Sequence, residues 1–183
     1  MRKHAFYWLL LIASLALWQW LDGDEPDAPT ARGLGRPDFT ASRLYNVSYS
    51  EEGMPEYRIY ANSMDFYTDS NITRFEQPLI LVYPDQLQPV WQITADQAKV
   101  LRQQNVAFHD NVVIRNLSRN EYVKDLLTEF VSIDLNQQTM HSDQQVTVLG
   151  PSYQLIGTGM DGDLAEETVH LLKDINAVYE TLP

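Results

Sequence analysis

The chain has 183 residues, of which 25 are acidic and 13 basic, and its formal net charge is −12 at pH 7. All the acidic residues follow residue 21, whereas Arg2 and Lys3 precede it, so the remainder has 11 basic residues and a net charge of −14. Such a surface repels nucleic acid, which excludes nucleic-acid binding. The chain has no cysteine, which excludes disulfides and a lipid-modified cysteine anchor, and its length suits one domain.

Residues 5–21 form an apolar segment, AFYWLLLIASLALWQWL. As a helix the segment rises about 1.5 Å per residue, roughly 26 Å in all, which is enough to cross a hydrocarbon core. Aromatic residues lie near both ends, where their rings favour the headgroup regions. A cleaved signal peptide is the alternative, but its cleavage site needs small residues, and Trp18, Gln19 and Trp20 are bulky. The pattern favours an uncleaved transmembrane helix.

The charges on either side of this segment predict its orientation. Arg2 and Lys3 precede it and acidic residues follow it, so the positive-inside rule leaves residues 1–4 in the cytoplasm and exports the rest. Residues 22–38 are rich in Pro, Gly, Asp and Ala and lack apolar periodicity, which predicts an extended tether. Residues 39–183 then form the exported domain.

Strand signals recur through most of this domain. They begin between Phe39 and Tyr49, and residues 50–53 have the composition of a turn. Apolar and polar residues alternate in several later segments, as expected of half-buried antiparallel strands. The predicted strands are residues 57–61, 79–83, 90–95, 111–116, 130–135, 145–149 and 152–156.

Three segments resemble one another: FEQPLILVY, FHDNVVIRN and HSDQQVTVLG. They superpose with Leu79, Val112 and Val146 in equivalent positions, at intervals of 33 and 34 residues. Repeated units of this size bury their apolar faces by stacking, so repeated strand pairs are predicted to build one all-β body. Lysine, which protects sheet edges, is scarce in this domain, and we interpret the terminal strands as edges for partners.

The segment 165–180 permits two interpretations. Leu171, Ile175 and Val178 have helical spacing, whereas Val169 and Leu171 suit a strand. From the residues alone we expect a helix.

No catalytic or metal-binding motif stands out. His4, His109, His141 and His170 do not have the spacing of a known catalytic or zinc motif, and the sequence predicts no enzyme activity and no cofactor. The acidic stretch from Asp161 to Glu167 could gather oxygen ligands for calcium, but the EF-hand spacing is absent and a polar turn is the favoured interpretation.

The apolar strand positions are the main candidates for function. In the repeat alignment Phe75, Leu79, Leu81, Phe108, Val112, Ile114, Val146 and Val148 have the same parity and are expected on one face. That face either closes into an ordinary core or stays splayed and binds acyl chains.

The chain resembles the LptC family, the bitopic inner-membrane proteins of lipopolysaccharide export in Gram-negative bacteria. The resemblance rests on the order and spacing of several motifs and covers nearly the whole chain. They are the N-terminal apolar span, EEGMPEYRIYA, FEQPLI, PVWQITADQAK, HDNVVI, LLTEFVSIDL, QQVTVLG and GTGMDGDL.

The resemblance implies an open β-jellyroll, shaped like a taco, in the periplasm. It would receive lipopolysaccharide from the LptB, LptF and LptG transporter and pass it to the periplasmic protein LptA, with no chemistry of its own. It implies a strand, not a helix, over residues 169–179. It also implies that the N-terminal edge, with Leu44 and Tyr45, pairs with LptF, and that the C-terminal edge, with Val169, Leu171 and Tyr179, pairs with LptA.

We therefore expect a non-enzymatic, membrane-anchored lipopolysaccharide carrier. The alternatives are a scaffold that joins two proteins through its edges over a filled core, and an anchored periplasmic hydrolase. The residues expected to line the trough are Tyr57, Ile59, Phe75, Leu79, Leu81, Trp91, Ile93, Val112, Ile114, Val131, Ile133, Val146 and Val148.

Overall fold

The computed structural model describes residues 35–84, 88–101, 105–118 and 122–179. The predicted membrane span and most of the predicted tether lie outside the described residues. The chain separates into two units, residues 1–35 and 36–183, and only the second is described below.

The described residues form eleven strands in one antiparallel sheet. The bounds are Phe39–Tyr49 (β1), Pro55–Tyr67 (β2), Ile72–Glu76 (β3), Leu79–Val82 (β4), Trp91–Thr94 (β5), Gln97–Leu101 (β6), Asn105–Asn116 (β7), Asp125–Asp134 (β8), Thr139–Leu149 (β9), Tyr153–Asp163 (β10) and Thr168–Tyr179 (β11). β2 pairs with β1, β3 and β4, and β7 pairs with β5, β6 and β8. The pairs β3–β6 and β4–β5 lie between β2 and β7, and β8 to β11 follow in order.

The all-β, antiparallel prediction is confirmed, and each of the seven predicted segments overlaps a strand. The short strands β3 and β6 were not predicted, because each has five residues with several polar ones among them. The helix expected over residues 165–180 is wrong: β11 occupies this segment, as the family resemblance implies. Asp174 has a φ of 52° and interrupts the alternation of β11, so its apolar residues recur with a spacing that imitates a helix.

A line of irregularities crosses the long strands and bends the sheet. Register shifts occur in the ladders of β7 with β8, of β8 with β9 and of β9 with β10. Along β8, Leu126 and Thr128 are buried before the line and Val131 and Ile133 after it, so the side-chain alternation changes phase there. Bulges of this kind bend a strand and increase its twist.

The bend divides the sheet into two leaves. The β3–β6 leaf contains β3, β6 and the long-strand residues in line with them, such as 63–67 of β2 and 105–109 of β7. The β4–β5 leaf contains β4, β5 and the residues in line with those, such as 57–60 of β2 and 113–116 of β7. Buried residues of both leaves form one hydrophobic cluster, so the inner faces of the leaves pack against each other.

Two buried hydroxyl groups satisfy backbone groups at the bend. Ser142 is fully buried, and its Oγ donates to the carbonyl oxygen of Phe130 at 2.7 Å. The Oγ1 of Thr128 lies 2.9 Å from the carbonyl oxygen of Gln145 and 3.2 Å from that of Phe130. Because register shifts take these carbonyls out of the regular ladder, the hydroxyls replace the strand partners that the bend removes.

We expect Ser142→Ala and Thr128→Val each to lower the free energy of unfolding by about 1–3 kcal/mol, because each removes a hydrogen-bond donor from a part-buried carbonyl. The double variant should lose more than the sum, since in either single variant the remaining hydroxyl still faces the carbonyl of Phe130 and in the double variant neither does. Urea unfolding of the full chain in detergent measures both effects. Thr147→Val, on a half-buried outward-facing position, is the matched control and should change stability by less than about 0.5 kcal/mol.

Candidate functional site

An uninterrupted row of aliphatic side chains crosses the inner face of the β4–β5 leaf. Successive strands place these residues opposite one another in register. β-branched residues dominate the row because they pack well on a pleated surface. Its members are Ile59, Ile80, Ile93, Ile114, Leu126, Val148 and Leu155, of which the first six are buried and Leu155 is partly buried.

A second apolar surface covers the inner face of the β3–β6 leaf. Its central row joins Phe75, Ala98 and Phe108 in register, and Val131 continues it onto β8. A neighbouring row joins Val106, Ile133 and Met140. All seven side chains are buried.

The two inner faces together form an apolar trough that runs across the strands from β1 to β11. Within the described residues β1 pairs only with β2, and β11 only with β10. The hydrogen-bonding edges of these two strands are therefore unpaired, and the trough ends at them. This geometry can enclose apolar chains and can be continued by a strand added at either edge.

Eleven of the thirteen predicted lining residues lie on the inner face. Tyr57 is half-buried there and packs against the core. The others are buried, namely Ile59, Phe75, Trp91, Ile93, Val112, Ile114, Val131, Ile133, Val146 and Val148.

The placement of Leu79 and Leu81 on this face is wrong. Leu79 pairs with Tyr60 and Thr94 on the outer face, and Leu81 also points outward, whereas Ile80 and Val82 are buried.

The backbone between the aligned repeats explains this error. In the first repeat Gln77 alone has a positive φ, 48°, between β3 and β4. In the second repeat Asp110 and Asn111 both have positive φ values, and Phe108 and Val112 stay on the same face. The two connections differ by one left-handed residue, and a shift of one residue moves a strand's side chains to the opposite face.

Several buried residues of the trough were not predicted. Ile80 and Val82 would have been predicted from the alternation in β4 if the change of phase at Gln77 had been known. Leu126 has the equally apolar Leu127 beside it, so the pattern alone does not select between the two. Met160 lies among glycines, and Gly159 has a φ of +79° at a register shift, a backbone conformation that glycine adopts without strain.

The predicted edge residues divide between the two faces. Leu44 on β1 and Val169 and Leu171 on β11 are half-buried and pack against the core from its two ends. Tyr45 faces outward and packs on Tyr60, with ring centroids 4.9 Å apart.

Tyr179 ends β11 opposite Tyr153 and is 72% exposed. Burial raises the pKa of Tyr153, and its hydroxyl donates to the carbonyl oxygen of Tyr122. The Tyr153 side chain is therefore a neutral phenol, and its hydrogen bond to the backbone fixes it at this end of the trough.

The free ends of the leaves meet along a rim that has two cavities. One is a cleft of about 600 Å³ between the β1–β2 turn and the β8–β9 turn. Polar residues such as Ser50, Glu52 and Asn136 line it outside, and Tyr57, Val82 and Leu164 line it toward the trough. The other, of about 280 Å³, lies near β11 and is lined mainly by apolar residues, including Val148, Leu155 and Leu171.

Between the two cavities hydrogen bonds join the leaves. The indole Nε1 of Trp91 donates to the carbonyl oxygen of Leu164 at 2.8 Å, and this contact is buried. Asn116 Nδ2 and Ser118 Oγ both donate to Glu167 Oε2, at 3.1 and 2.8 Å. We call these three hydrogen bonds the rim latch; the side chains that form it are those of Trp91, Asn116, Ser118 and Glu167.

The polar groups considered in the sequence have structural contacts. Asp163 Oδ1 accepts hydrogen bonds from the backbone N–H groups of Ala165 and Glu166, so this carboxylate caps the β10–β11 turn. His141 Nδ1 lies 2.6 Å from Asp161 Oδ1 on the exposed outer face. The described residues contain no cluster of three or more acidic, histidine or cysteine side chains that could hold a metal.

The part of the chain that the structure describes has no helix with the length and hydropathy of a membrane span. The predicted helix at residues 5–21 falls outside that part.

The structure is similar to that of LptH, the LptA-homologous periplasmic component of the lipopolysaccharide transport device of Pseudomonas aeruginosa. The TM-score is 0.53, with 10% sequence identity, and the match covers 68% of this chain and 95% of LptH. At that identity the similarity concerns the fold, which is therefore of the LptA-like jellyroll type.

Sequence comparison finds relatives over almost the full length. The lipopolysaccharide export system protein LptC of Escherichia coli K12 is 23% identical over 177 residues, which cover 94% of this chain and 93% of that protein. The protein of the same name from Haemophilus influenzae is 24% identical over 161 residues, covering 79% and 77%. The family described as lipopolysaccharide-assembly, LptC-related, matches residues 6–180. This chain is therefore a member of the LptC-related family.

Proposed function

We propose that this protein is a carrier in lipopolysaccharide transport, which holds the acyl chains of the lipid in the trough between its leaves. The observation that carries the proposal is the uninterrupted aliphatic row from Ile59 to Leu155, which spans seven strands between the two edges. An ordinary core needs only a buried centre, whereas this row crosses every strand of the β4–β5 leaf between the two edge strands.

The energetics of the lipid favour an enclosed path. Burying one methylene group is favourable by about 0.8 kcal/mol. Exposing a whole acyl chain to water during transfer would therefore cost many kcal/mol. A trough that continues from one protein to the next avoids this loss. No covalent chemistry is required, and we propose that the protein is not an enzyme and uses no cofactor.

Addition of partner strands at the edges would extend the trough. We propose that β1 pairs with LptF of the LptB, LptF and LptG transporter and that β11 pairs with LptA. Leu44 at one end, and Val169 and Leu171 at the other, face the interior and would continue the apolar lining into the partner. Backbone hydrogen bonds would join the sheets, as in other cases of strand addition, and ATP hydrolysis by the transporter would supply the energy.

We further propose that residues 5–21 anchor the protein in the inner membrane and that the β domain lies in the periplasm. The apolar, aromatic-flanked span and the basic residues before it support this location.

The scaffold remains the second candidate because the interior is filled in the isolated chain. Phe108, Ile114 and Val131 are at most 1% exposed, so acyl chains can enter only if the leaves separate. A scaffold would keep this core closed and use only its edges.

Photocrosslinking at two adjacent residues separates the two candidates. A photoreactive amino acid at Ile80 would face the trough, and one at Leu79 would face outward on the same strand. In cells we expect lipopolysaccharide adducts at position 80 at least tenfold more abundant than at position 79. Equal or absent adducts at both positions, in a protein that is expressed and inserted in the membrane, would favour the scaffold.

A further inference from the structure

The rim of the trough has three zones, in an order that the contacts fix. The cleft of about 600 Å³ touches the β1–β2 turn and the end of β4. The rim latch follows, between the start of β5 and the end of β7 on one leaf and the β10–β11 turn on the other. The apolar cavity of about 280 Å³ comes last, beside β11. The latch therefore lies between the opening on the β1 side and the opening on the β11 side.

The local structure holds the latch groups in position. The backbone N–H of Ser118 donates to Asn116 Oδ1 at 2.7 Å, which directs the amide nitrogen of Asn116 toward Glu167. Glu167 has a φ of 54°, and Asp163 caps the same turn through two backbone amides. A carboxylate that accepts two hydrogen bonds in such a turn is a specific contact and not a chance approach of two surfaces.

The position of the rim latch matters for a lipid that has both apolar chains and a polar head. When acyl chains lie in the trough, the saccharide and phosphate groups must stay outside, because burial of unpaired polar groups is strongly unfavourable. The polar head then projects through the rim between the leaves. A lipid that moves from the β1 side to the β11 side carries its head past the point where Trp91, Asn116 and Ser118 join the leaves.

We propose that the rim latch is a gate for the polar head of the transported lipid. In the closed state Glu167 holds the leaves together and confines the head to the cleft on the β1 side. Release of Glu167 from Asn116 and Ser118, and of Leu164 from Trp91, opens the rim and lets the head reach the cavity beside β11. Asn116, Ser118 and Glu167 are thus positioning residues that control passage, and the inference rests on the proposed carrier function.

A reversible bridge across the latch tests the gate. The chain has no native cysteine, so S118C and E167C introduce the only two thiols of this chain. A short bis-methanethiosulfonate reagent can join them, because the native side-chain oxygens are 2.8 Å apart; each thiol displaces methanesulfinate and forms a disulfide that a reductant later cleaves. The full chain is reconstituted in vesicles with its cognate transporter, lipopolysaccharide and ATP. Photoreactive residues at Val82 and Leu171 report lipid in the cleft and in the far cavity.

With the bridge in place we expect adducts at position 82 to persist and adducts at position 171 to fall at least tenfold, with recovery on reduction. In each of the two single-cysteine variants, treatment with the same reagent should leave the adducts at position 171 at the level of the same variant without reagent. Undiminished adducts at position 171 in the bridged protein would overturn the gate. Absence of adducts at both positions in the reduced protein would instead overturn the carrier function, which keeps the two failures distinct.

A second pair of variants tests the same gate without cysteines. Glu167→Ala should raise the initial rate of adduct formation at position 171 about threefold, and Glu167→Gln, which keeps an acceptor oxygen, should raise it less. Glu166→Ala is the matched control, because Glu166 lies in the same turn, is exposed, and contacts Asp163 only through its backbone amide. An equal effect of the two alanine variants would contradict the gate.

Discussion

Replacement of Trp91 by alanine is expected to lower the free energy of unfolding by about 3–5 kcal/mol. Trp91 is fully buried, so its removal leaves a large cavity at the centre of the rim. The substitution also removes the indole donor and leaves the carbonyl of Leu164 without this partner. Urea unfolding of the full chain in detergent, followed by circular dichroism, measures the loss.

Trp91→Phe separates the cavity from the hydrogen bond. Phenylalanine retains much of the apolar volume but has no N–H group, so we expect a loss of about 1–3 kcal/mol from the unpaired carbonyl and the smaller ring. If both variants were within 0.5 kcal/mol of the parent protein, the packing of the two leaves against each other at Trp91 would be disproved.

Replacement of Ile93 by aspartate is expected to abolish the folded trough, with a loss of more than about 4 kcal/mol. Ile93 is 1% exposed and lies in the middle of the aliphatic row, between Ile80 and Ile114. A carboxylate there has neither water nor a cationic partner, which is strongly unfavourable. Limited proteolysis and urea unfolding both detect the change.

Thr94→Asp is the matched control for Ile93→Asp. Thr94 is the next residue of β5, is half-buried, and faces outward between Leu79 and Val113. We expect a change of less than about 1 kcal/mol and unchanged lipid adducts at position 80, because water reaches the new carboxylate. Similar losses for the two variants would show that the assignment of inner and outer faces is wrong.

The filled interior and the rim latch both restrict the entry of a lipid into this protein. A core as tightly closed as that around Phe108 and Ile114 admits acyl chains only when the leaves move apart. Among the described residues, side-chain hydrogen bonds between the leaves lie at the rim, where Glu167 and Trp91 contact the opposite leaf. Opening therefore breaks these hydrogen bonds and separates the buried apolar contacts between the leaves, while the antiparallel ladders stay intact.

Much of the architecture was predictable from local pattern. Alternation of apolar and polar residues identified seven of the eleven strands directly, and the cluster of β-type residues after Phe39 indicated β1. The order of short motifs indicated the family, which the match over residues 6–180 confirms. Eleven of the residues predicted to line the trough are buried or half-buried on the inner face, because parity is a local property of a strand wherever the backbone is regular.

The failures occurred where the backbone leaves the regular strand geometry. Gln77 reverses the parity of Leu79 and Leu81, and Asp174 gives β11 an apolar spacing that imitates a helix. A left-handed residue is not marked by hydrophobicity. Glutamine seldom adopts this conformation, and aspartate, although enriched in it, is far commoner in ordinary backbone conformations, so the sequence pattern does not locate such a shift.

The sequence by itself determined that this protein is an antiparallel β protein of the LptC-related family, with an apolar face and two edge strands. Only the tertiary structure decided that the sheet bends into two packed leaves, that the interior is filled, and that Glu167 meets Asn116 and Ser118 across the rim. The physical reason is one of range. Strand formation and facing depend on neighbours within a few residues, whereas the latch joins groups 49 to 73 residues apart in the chain. Their meeting depends on the accumulated bend of every strand between them.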